Sequence, residues 1–470
     1  MFASVAAHPR IHGAMAFSNI RGATGGHGFI GVYSPSSDVI TWLSPSLDMD
    51  TNPVWNSKGS QVAFVRQVEL EDAHGRVPFH QGSAFGIMIA NVTVDGPGGH
   101  VMAAGARTIF RDWKYGFCDN DCGFGVRPVI FSPDDSEVLF GTEALPTAQG
   151  FLHVAAASIW GDIRQGEVSV RDLTPVVAPG GQGCETQDWV LGADQWLYIA
   201  HNCDNRETLS ISRVQVIAAT PSLKQPPRQS VVPGTPFSIS GMAEVTVGMV
   251  PMFNGIAYLG STYNTPPSVY FLALSSSMPP IANSSVEVSP LDPKMYPRFN
   301  NQHFVKPTTT ILKGGPFDLS MHVFNQNSSH AVPSSQPAIL FTHGGSQRQM
   351  YGAFHYCTVY AQLFALNQYL ASKGFVVLSL NYRSGVGYGY NFRVCPNCGY
   401  WGGAEYEDVL AGGLWLGDQP TVDKTRVGVY GLSYGIYLPQ PFVIHNPSFF
   451  YRDLCLKRWP QYSASFNQKQ

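Results

Sequence analysis

The rhythm of hydrophobic and polar positions changes once along this chain, near Pro337. Before that point, short apolar runs come in pairs around a polar turn. Pro53-Val-Trp-Asn-Ser-Lys-Gly-Ser-Gln-Val-Ala-Phe64 reads as strand, turn and strand, and Pro128-Val-Ile-Phe-Ser-Pro-Asp-Asp-Ser-Glu-Val-Leu-Phe140 repeats it. Asp188–Tyr198 repeats it again and Val250–Tyr258 more faintly, at spacings of roughly 60–75 residues with insertions such as Glu69–Gln81 between. A Gly or Asp between paired hydrophobic runs is a hairpin signal, and hairpins recurring at such a period predict the blades of a β-propeller. An irregular β-sandwich is the competing arrangement for this half. Ser275–Ser289, rich in Ser and Pro, reads as a linker, and the strand-rich passage Thr308–Phe324 follows it.

After Pro337 strands alternate with helices. Ala338–Thr342 reads as a buried strand and Thr358–Lys373 as a helix. Tyr360, Leu363, Phe364, Leu366 and Leu370 form the apolar face of that helix, and Gly374 stops it. Phe375–Leu380 is the next strand, Ala404–Leu416 a second helix and Arg426–Tyr430 a third strand. That alternation predicts a largely parallel sheet with helices on both faces.

Composition fits strands and turns. Charged residues make up 13% of the 470, against a usual share of about 25%, while Gly (48) and Pro (34) are plentiful. Helix bundles, coiled coils and disordered scaffolds are excluded. A net charge of −3 argues against nucleic acid or an anionic membrane surface as a partner. No stretch approaches a membrane span, and the start lacks the basic and apolar regions of a secretory signal. The compartment stays open, with the cytoplasm as the default. The close cysteine pairs Cys118/Cys122 and Cys395/Cys398 suit loop disulfides or simple thiols better than a redox pair or a zinc site. Gly26-His-Gly-Phe-Ile-Gly31 matches G-x-G-x-x-G but lacks the strand–helix context of a nucleotide site.

The chemistry-bearing motif is Gly431-Leu432-Ser433-Tyr434-Gly435, directly after the third strand. G-x-S-x-G in that context makes a nucleophile elbow, a sharp turn that raises the serine Oγ above the sheet edge. Gly431 and Gly435 flank Ser433 because a Cβ there would strike neighbouring backbone. His343-Gly344-Gly345 follows the first strand of this region. Its backbone N–H groups, with that of Tyr434, could hold the oxyanion of a tetrahedral intermediate. His343 itself reads as structural or substrate-lining rather than as the base, since this fold places its histidine after the serine.

These residues resemble a known family. His343-Gly-Gly, Asn381-Tyr-Arg-Ser-Gly-Val-Gly-Tyr-Gly389, Trp401-Gly402, Asp408 and Arg426–Gly435 look like the catalytic domain of the prolyl oligopeptidase family of serine peptidases. The repeats resemble that family's N-terminal propeller, in the acylaminoacyl-peptidase and dipeptidyl-peptidase style. The strong match covers about Pro337–Tyr437. The resemblance implies a β-propeller-like domain over 1–290 and an α/β-hydrolase domain over 291–470. It implies Ser433 as nucleophile, Gly344 and Tyr434 as oxyanion donors, an oligopeptide substrate and no metal or organic cofactor. Arg383 and Tyr388 would lie near the cleft without an assigned role.

One part of the pattern is missing. The fold needs an acid and then a histidine after the serine. The residues beyond Ser433 hold only His445 and Asp453, reversed and close together, so no triad Asp and His are expected in this chain. From about Leu438 the sequence departs from the family, with Pro439 and Pro441 forbidding a regular helix. The hydrolase domain is therefore expected to be incomplete at its C-terminus and the chain inactive. The alternatives are a non-catalytic propeller acting as a binding module, a gene-model fragment, or an esterase on the same fold.

Overall fold

The computed structural model describes residues within 2–438, apart from 21–26, 69–82, 96–99, 104, 118–128, 147, 149, 162–168, 175–182, 203–207, 217–244, 274–284, 288–303, 314, 327–334 and 400–402. His445, Asp453, Pro439, Pro441, Trp401, Gly402 and the cysteines Cys118, Cys122 and Cys455 lie outside the described residues.

The four expected hairpins all form, and each belongs to a larger antiparallel meander. The first meander runs through Phe2–Ala7, Met15–Ile20, Gly28–Ser34 and Val39–Leu43. A second takes Met49–Trp55, Gln61–Val68, Ser83–Asp95 and Arg107–Phe117; it joins the first through the parallel pair Gly28 and Met49 and through packing of Ile30, Val32 and Leu43 on Val62 and Phe64. Ile130–Phe131, Glu137–Thr142, His153–Ser158 and Val170–Asp172 make the third. Thr186–Leu191, Trp196–His201 and Ser210–Gln215 make the fourth. The fifth comprises Val245–Met252, Gly255–Ser261, Ser268–Ala273 and Ser285–Glu287. That last strand corrects one expectation. Ser285–Glu287 lies inside the stretch read as a linker, yet its backbone pairs antiparallel with Tyr270–Leu272, adding a fourth strand to the sheet.

Strand alternation explains how the meanders assemble. Val138, Phe140, Ala155 and Ala157 of the third pack with Val65, Phe85, Ile87 and Ile109 of the second. The alternate residues Leu139, Val154 and Ala156 pack on the other side, with Trp189, Leu197 and Ile199 of the fourth. Tyr198 and Ala200 then meet Met249, Ile256, Tyr258 and Tyr270 of the fifth. The second, third and fourth meanders thus bury both faces against their sequence neighbours, and each fully buried large side chain contributes about 1.5–3 kcal/mol. The turns are joined as well. Ser57 donates through its N–H and hydroxyl to Asp135, at 2.9 and 2.6 Å, linking the hairpin turns of meanders two and three. Gly28–Gly31 lies on an antiparallel strand, so the G-x-G-x-x-G match has no helix to follow it.

The remaining sheet has five strands in the order Thr308–Leu312, Leu319–Phe324, Val376–Leu380, Gln336–Thr342, Val422–Gly431. The last three are parallel, and the first two join antiparallel. Helix α1 (Thr358–Ser372) covers one face, where Phe341 and Tyr430 meet Tyr360 and Leu363. Helices α2 (Tyr390–Arg393) and α3 (Glu405–Gly417) belong to the other, where Leu340, Leu378 and Val427 meet Phe392, Val409 and Leu416. Phe375 N–H reaches back to Leu370 O at 3.2 Å across Gly374, whose φ of 88° only glycine adopts cheaply; this turn stops α1 where the sequence indicates.

The two halves are tied together by buried polar contacts. Gly387 N–H donates to Glu185 at 2.5 Å, Asn202 donates to Gly387 O at 3.0 Å, and Tyr390 N–H donates to Gly150 O at 2.6 Å. Arg393 pairs with Glu143 and faces Glu185 at 3.7 Å. The segment 387–393, which follows the strand Val376–Leu380, is therefore held by the meanders.

Candidate active site

The strand Val422–Gly431 ends at the motif and the chain turns at once into α4 (Tyr434–Tyr437). Ser433 sits between them at φ 50° and ψ −117°, a conformation that non-glycine residues avoid. Its side chain is exposed while Tyr434 and Gly435 are buried. Crowding on both sides sustains the strain. A Cβ on Gly435 would lie 2.3 Å from the carbonyl oxygens of Thr342 and His343, and one on Gly431 2.5 Å from Gly435 O. Thr342 closes the turn by donating its hydroxyl to Gly435 O at 2.7 Å. The chain thus reverses sharply between strand and helix at Ser433. Gly435→Ala must push backbone against backbone, so it is expected to lower the thermal midpoint by several degrees, the equivalent of at least 1–3 kcal/mol, in a differential scanning melt.

The His343-Gly344-Gly345 turn lies against this elbow. A Cβ on Gly344 would come within 3.1 Å of Ser433 Cβ and 2.5 Å of Leu432 O. Gly344 N–H, expected to face the oxyanion, donates at 2.9 Å to the hydroxyl of Tyr360 on α1. Sequence reasoning counted Tyr360 only as apolar helix face; its hydroxyl reaches the site because the ring spans from helix to turn.

His343 is fully buried and stacks on Tyr382, with ring centroids 4.2 Å apart. Its Nδ1 lies 3.2 Å from Gly344 O, so that nitrogen carries the proton, and Nε2 has no partner among the described residues. Burial pushes its pKa down to about 3, which keeps the ring neutral. Tyr382 donates its hydroxyl to His343 O at 2.6 Å, and Asn381 grips both N–H and C=O of Met350, at 2.7 and 2.9 Å. Arg383, placed near the cleft without a role, is bound to buried Asp408: Nε donates at 2.9 Å and the backbone N–H at 2.8 Å. Both residues of that pair belong to the scaffold under the site. Tyr388 receives a hydrogen bond from Gln349 at 3.4 Å and packs on Phe392.

Two further residues escaped the sequence. Glu405 is fully buried and accepts the Tyr434 hydroxyl at 2.9 Å. Thr342 looked like the plain end of a buried strand. A buried carboxylate in the first turn of a helix reads as an ordinary N-terminal acid, so nothing in the pattern distinguished Glu405. Cys395 and Cys398 form a disulfide, one of the two states the sequence left open for this pair. Among the described residues no group of three His, Cys, Asp or Glu could hold a metal. Ser433 Oγ meets no histidine among the described residues.

Comparison with known proteins agrees with this geometry. The prolyl oligopeptidase family matches residues 362–451. Over that stretch, which includes the Gly431–Gly435 motif, the chain is similar to this family of serine peptidases. A dipeptidyl aminopeptidase of Pseudoxanthomonas mexicana is 30% identical over 125 residues, 26% of this chain and 16% of its own length. An uncharacterized peptidase of Bacillus subtilis is 37% identical over 106 residues, 22% of this chain and 15% of its own. Among solved structures, a puromycin-hydrolyzing peptidase of Mycobacterium tuberculosis superposes with a TM-score of 0.62 at 16% identity. That match covers 93% of this chain and 59% of the other. Prolyl oligopeptidase B of Galerina marginata gives 0.57 at 12% identity, covering 93% and 52%. The prolyl oligopeptidase fold therefore extends over the meanders as well as the α/β sheet, although the chain spans only about three-fifths of that first structure. No helix among the described residues is long and apolar enough to cross a membrane.

Proposed function

We propose that this chain carries the site of a serine hydrolase of the prolyl oligopeptidase type, which would form an acyl-enzyme on Ser433 with short peptides only where a base takes the Oγ proton and returns it to the leaving amine; without that base the chain is inactive. The observation that carries the reading is the strained, exposed Ser433 with the Gly344 turn against it. Attack by Oγ on a peptide carbonyl would develop an oxyanion beside Tyr434 N–H and the Gly344 N–H that Tyr360 now holds. In this reading the five meanders are propeller blades standing over the hydrolase sheet, and 387–393 is their point of attachment. A peptide is favoured over a simple ester because such a domain limits substrate size, an inference by analogy. The base and acid that would complete a triad are not among the described residues.

A fluorophosphonate probe tests this in the full 470-residue chain. Stoichiometric labelling that disappears in Ser433→Ala supports the hydrolase, and release of amine from aminoacyl or dipeptidyl anilides then separates peptidase from esterase. Failure of the intact chain to label would leave it a non-catalytic binding protein on a peptidase fold.

A further inference from the structure

We propose that Glu405 is a positioning residue for the nucleophile elbow, acting through the ring of Tyr434; this rests on the reading of Ser433 as nucleophile. Tyr434 follows Ser433 directly, and its backbone N–H is the proposed oxyanion donor. The orientation of that N–H depends on how residue 434 is anchored. On the backbone side the anchor is Thr342, which holds Gly435 O at 2.7 Å. On the side-chain side it is Glu405, whose Oε1 accepts the Tyr434 hydroxyl at 2.9 Å.

The carboxylate is itself fixed. Glu405 opens α3, is fully buried, and its Oε1 also accepts Gly399 N–H at 2.6 Å, from the loop closed by the Cys395–Cys398 disulfide. Its other oxygen, Oε2, has no hydrogen-bond partner among the described residues. A buried carboxylate with one oxygen unsatisfied is costly to keep, whereas a glutamine could accept the same two bonds and a leucine could fill the space. Tyr434 is packed among Tyr382, Val409 and Leu416, so its ring cannot find water when the acceptor is lost. The ring must then shift, and with it the residue that keeps Ser433 at φ 50°.

The test combines labelling rates with hydrogen exchange on the full chain. Glu405→Ala and Tyr434→Phe should each slow fluorophosphonate labelling of Ser433 by about tenfold or more, and the double variant should be no slower than either alone. Glu405→Gln should recover most of the rate, since it keeps the acceptor. By mass spectrometry, exchange across residues 432–437 should accelerate in Glu405→Ala while the core strand Gln61–Val68 stays protected. Losses that multiply in the double variant, or a rate equal to wild type, would overturn the proposal. Unchanged exchange at 432–437 would overturn it as well, and it can be read even if the wild-type chain does not label. Absence of wild-type labelling with faster exchange in the variant would sink only the hydrolase reading.

Discussion

Replacing Arg393 with methionine is expected to lower the thermal midpoint of the full chain by on the order of 10 °C, the largest loss from any single side chain considered. Arg393 ends α2 and reaches from the hydrolase half to Glu143 and Glu185 of the meanders, all three side chains being 1% exposed. Two carboxylates and one guanidinium share a buried site. Their mutual attraction offsets their desolvation only while all are present; removing the cation leaves two buried carboxylates facing each other, which costs about 3–5 kcal/mol. For a domain of this size that corresponds to roughly the shift stated. The double variant Arg393→Met/Glu143→Gln should melt above Arg393→Met, because one of the stranded charges is gone. Differential scanning calorimetry on the three proteins decides it. A single variant melting within two degrees of wild type would show that the pair contributes nothing net. Because Gly387 and Tyr390 are held by the same meanders, early proteolysis should fall in the segment 385–400.

Much of the fold could be read from periodicity because the physics is local. Leu139 and Phe140 face opposite neighbours, as strand alternation requires, and the four hairpins follow from turns such as Asn56–Ser60, where Asn56 Oδ1 accepts two backbone N–H groups. Ser433 was legible because glycine spacing reports backbone crowding directly. What escaped was long-range. Arg393 meets Glu143 across 250 residues of sequence, and no pattern on either element names its partner. Glu405 and Tyr360 were hidden because each fits an ordinary local role: an acid in a helix's first turn, an aromatic on its apolar face. Ser285–Glu287 was misread because its composition is that of a linker, while the pairing of its backbone with Tyr270–Leu272 is a long-range fact that no local pattern signals.

Acidification from pH 7.5 to 5 is expected to remove roughly 4 kcal/mol of stability through two histidines beside the active-site turn. His343 is fully buried and His355 is 2% exposed; burial is the main cause that pushes each pKa down to about 3. The Arg348 guanidinium depresses both, and His343 further depresses His355. In the unfolded chain each ring takes up a proton below about pH 6.5, whereas the folded protein refuses it until about pH 3. The unfolded state therefore binds more protons throughout that window. Stability is complete above pH 6.5 and falls with decreasing pH by about 1.4 kcal/mol per unit per histidine, or roughly 2 kcal/mol each at pH 5. His355 Nε2 lies 3.1 Å from Gln349 O and its Nδ1 accepts Cys357 N–H at 2.9 Å, so the neutral ring bridges two backbone groups that an imidazolium could not satisfy together. Carboxylates also lose stability in acid, so the contribution is isolated by difference. His355→Asn should begin with a lower midpoint at pH 7.5 and then lose about 2 kcal/mol less than wild type on reaching pH 5. Parallel melting curves for the two proteins across that range would mean that the ring is already charged in the fold, and that burial has not excluded the proton from the turn beside Ser433.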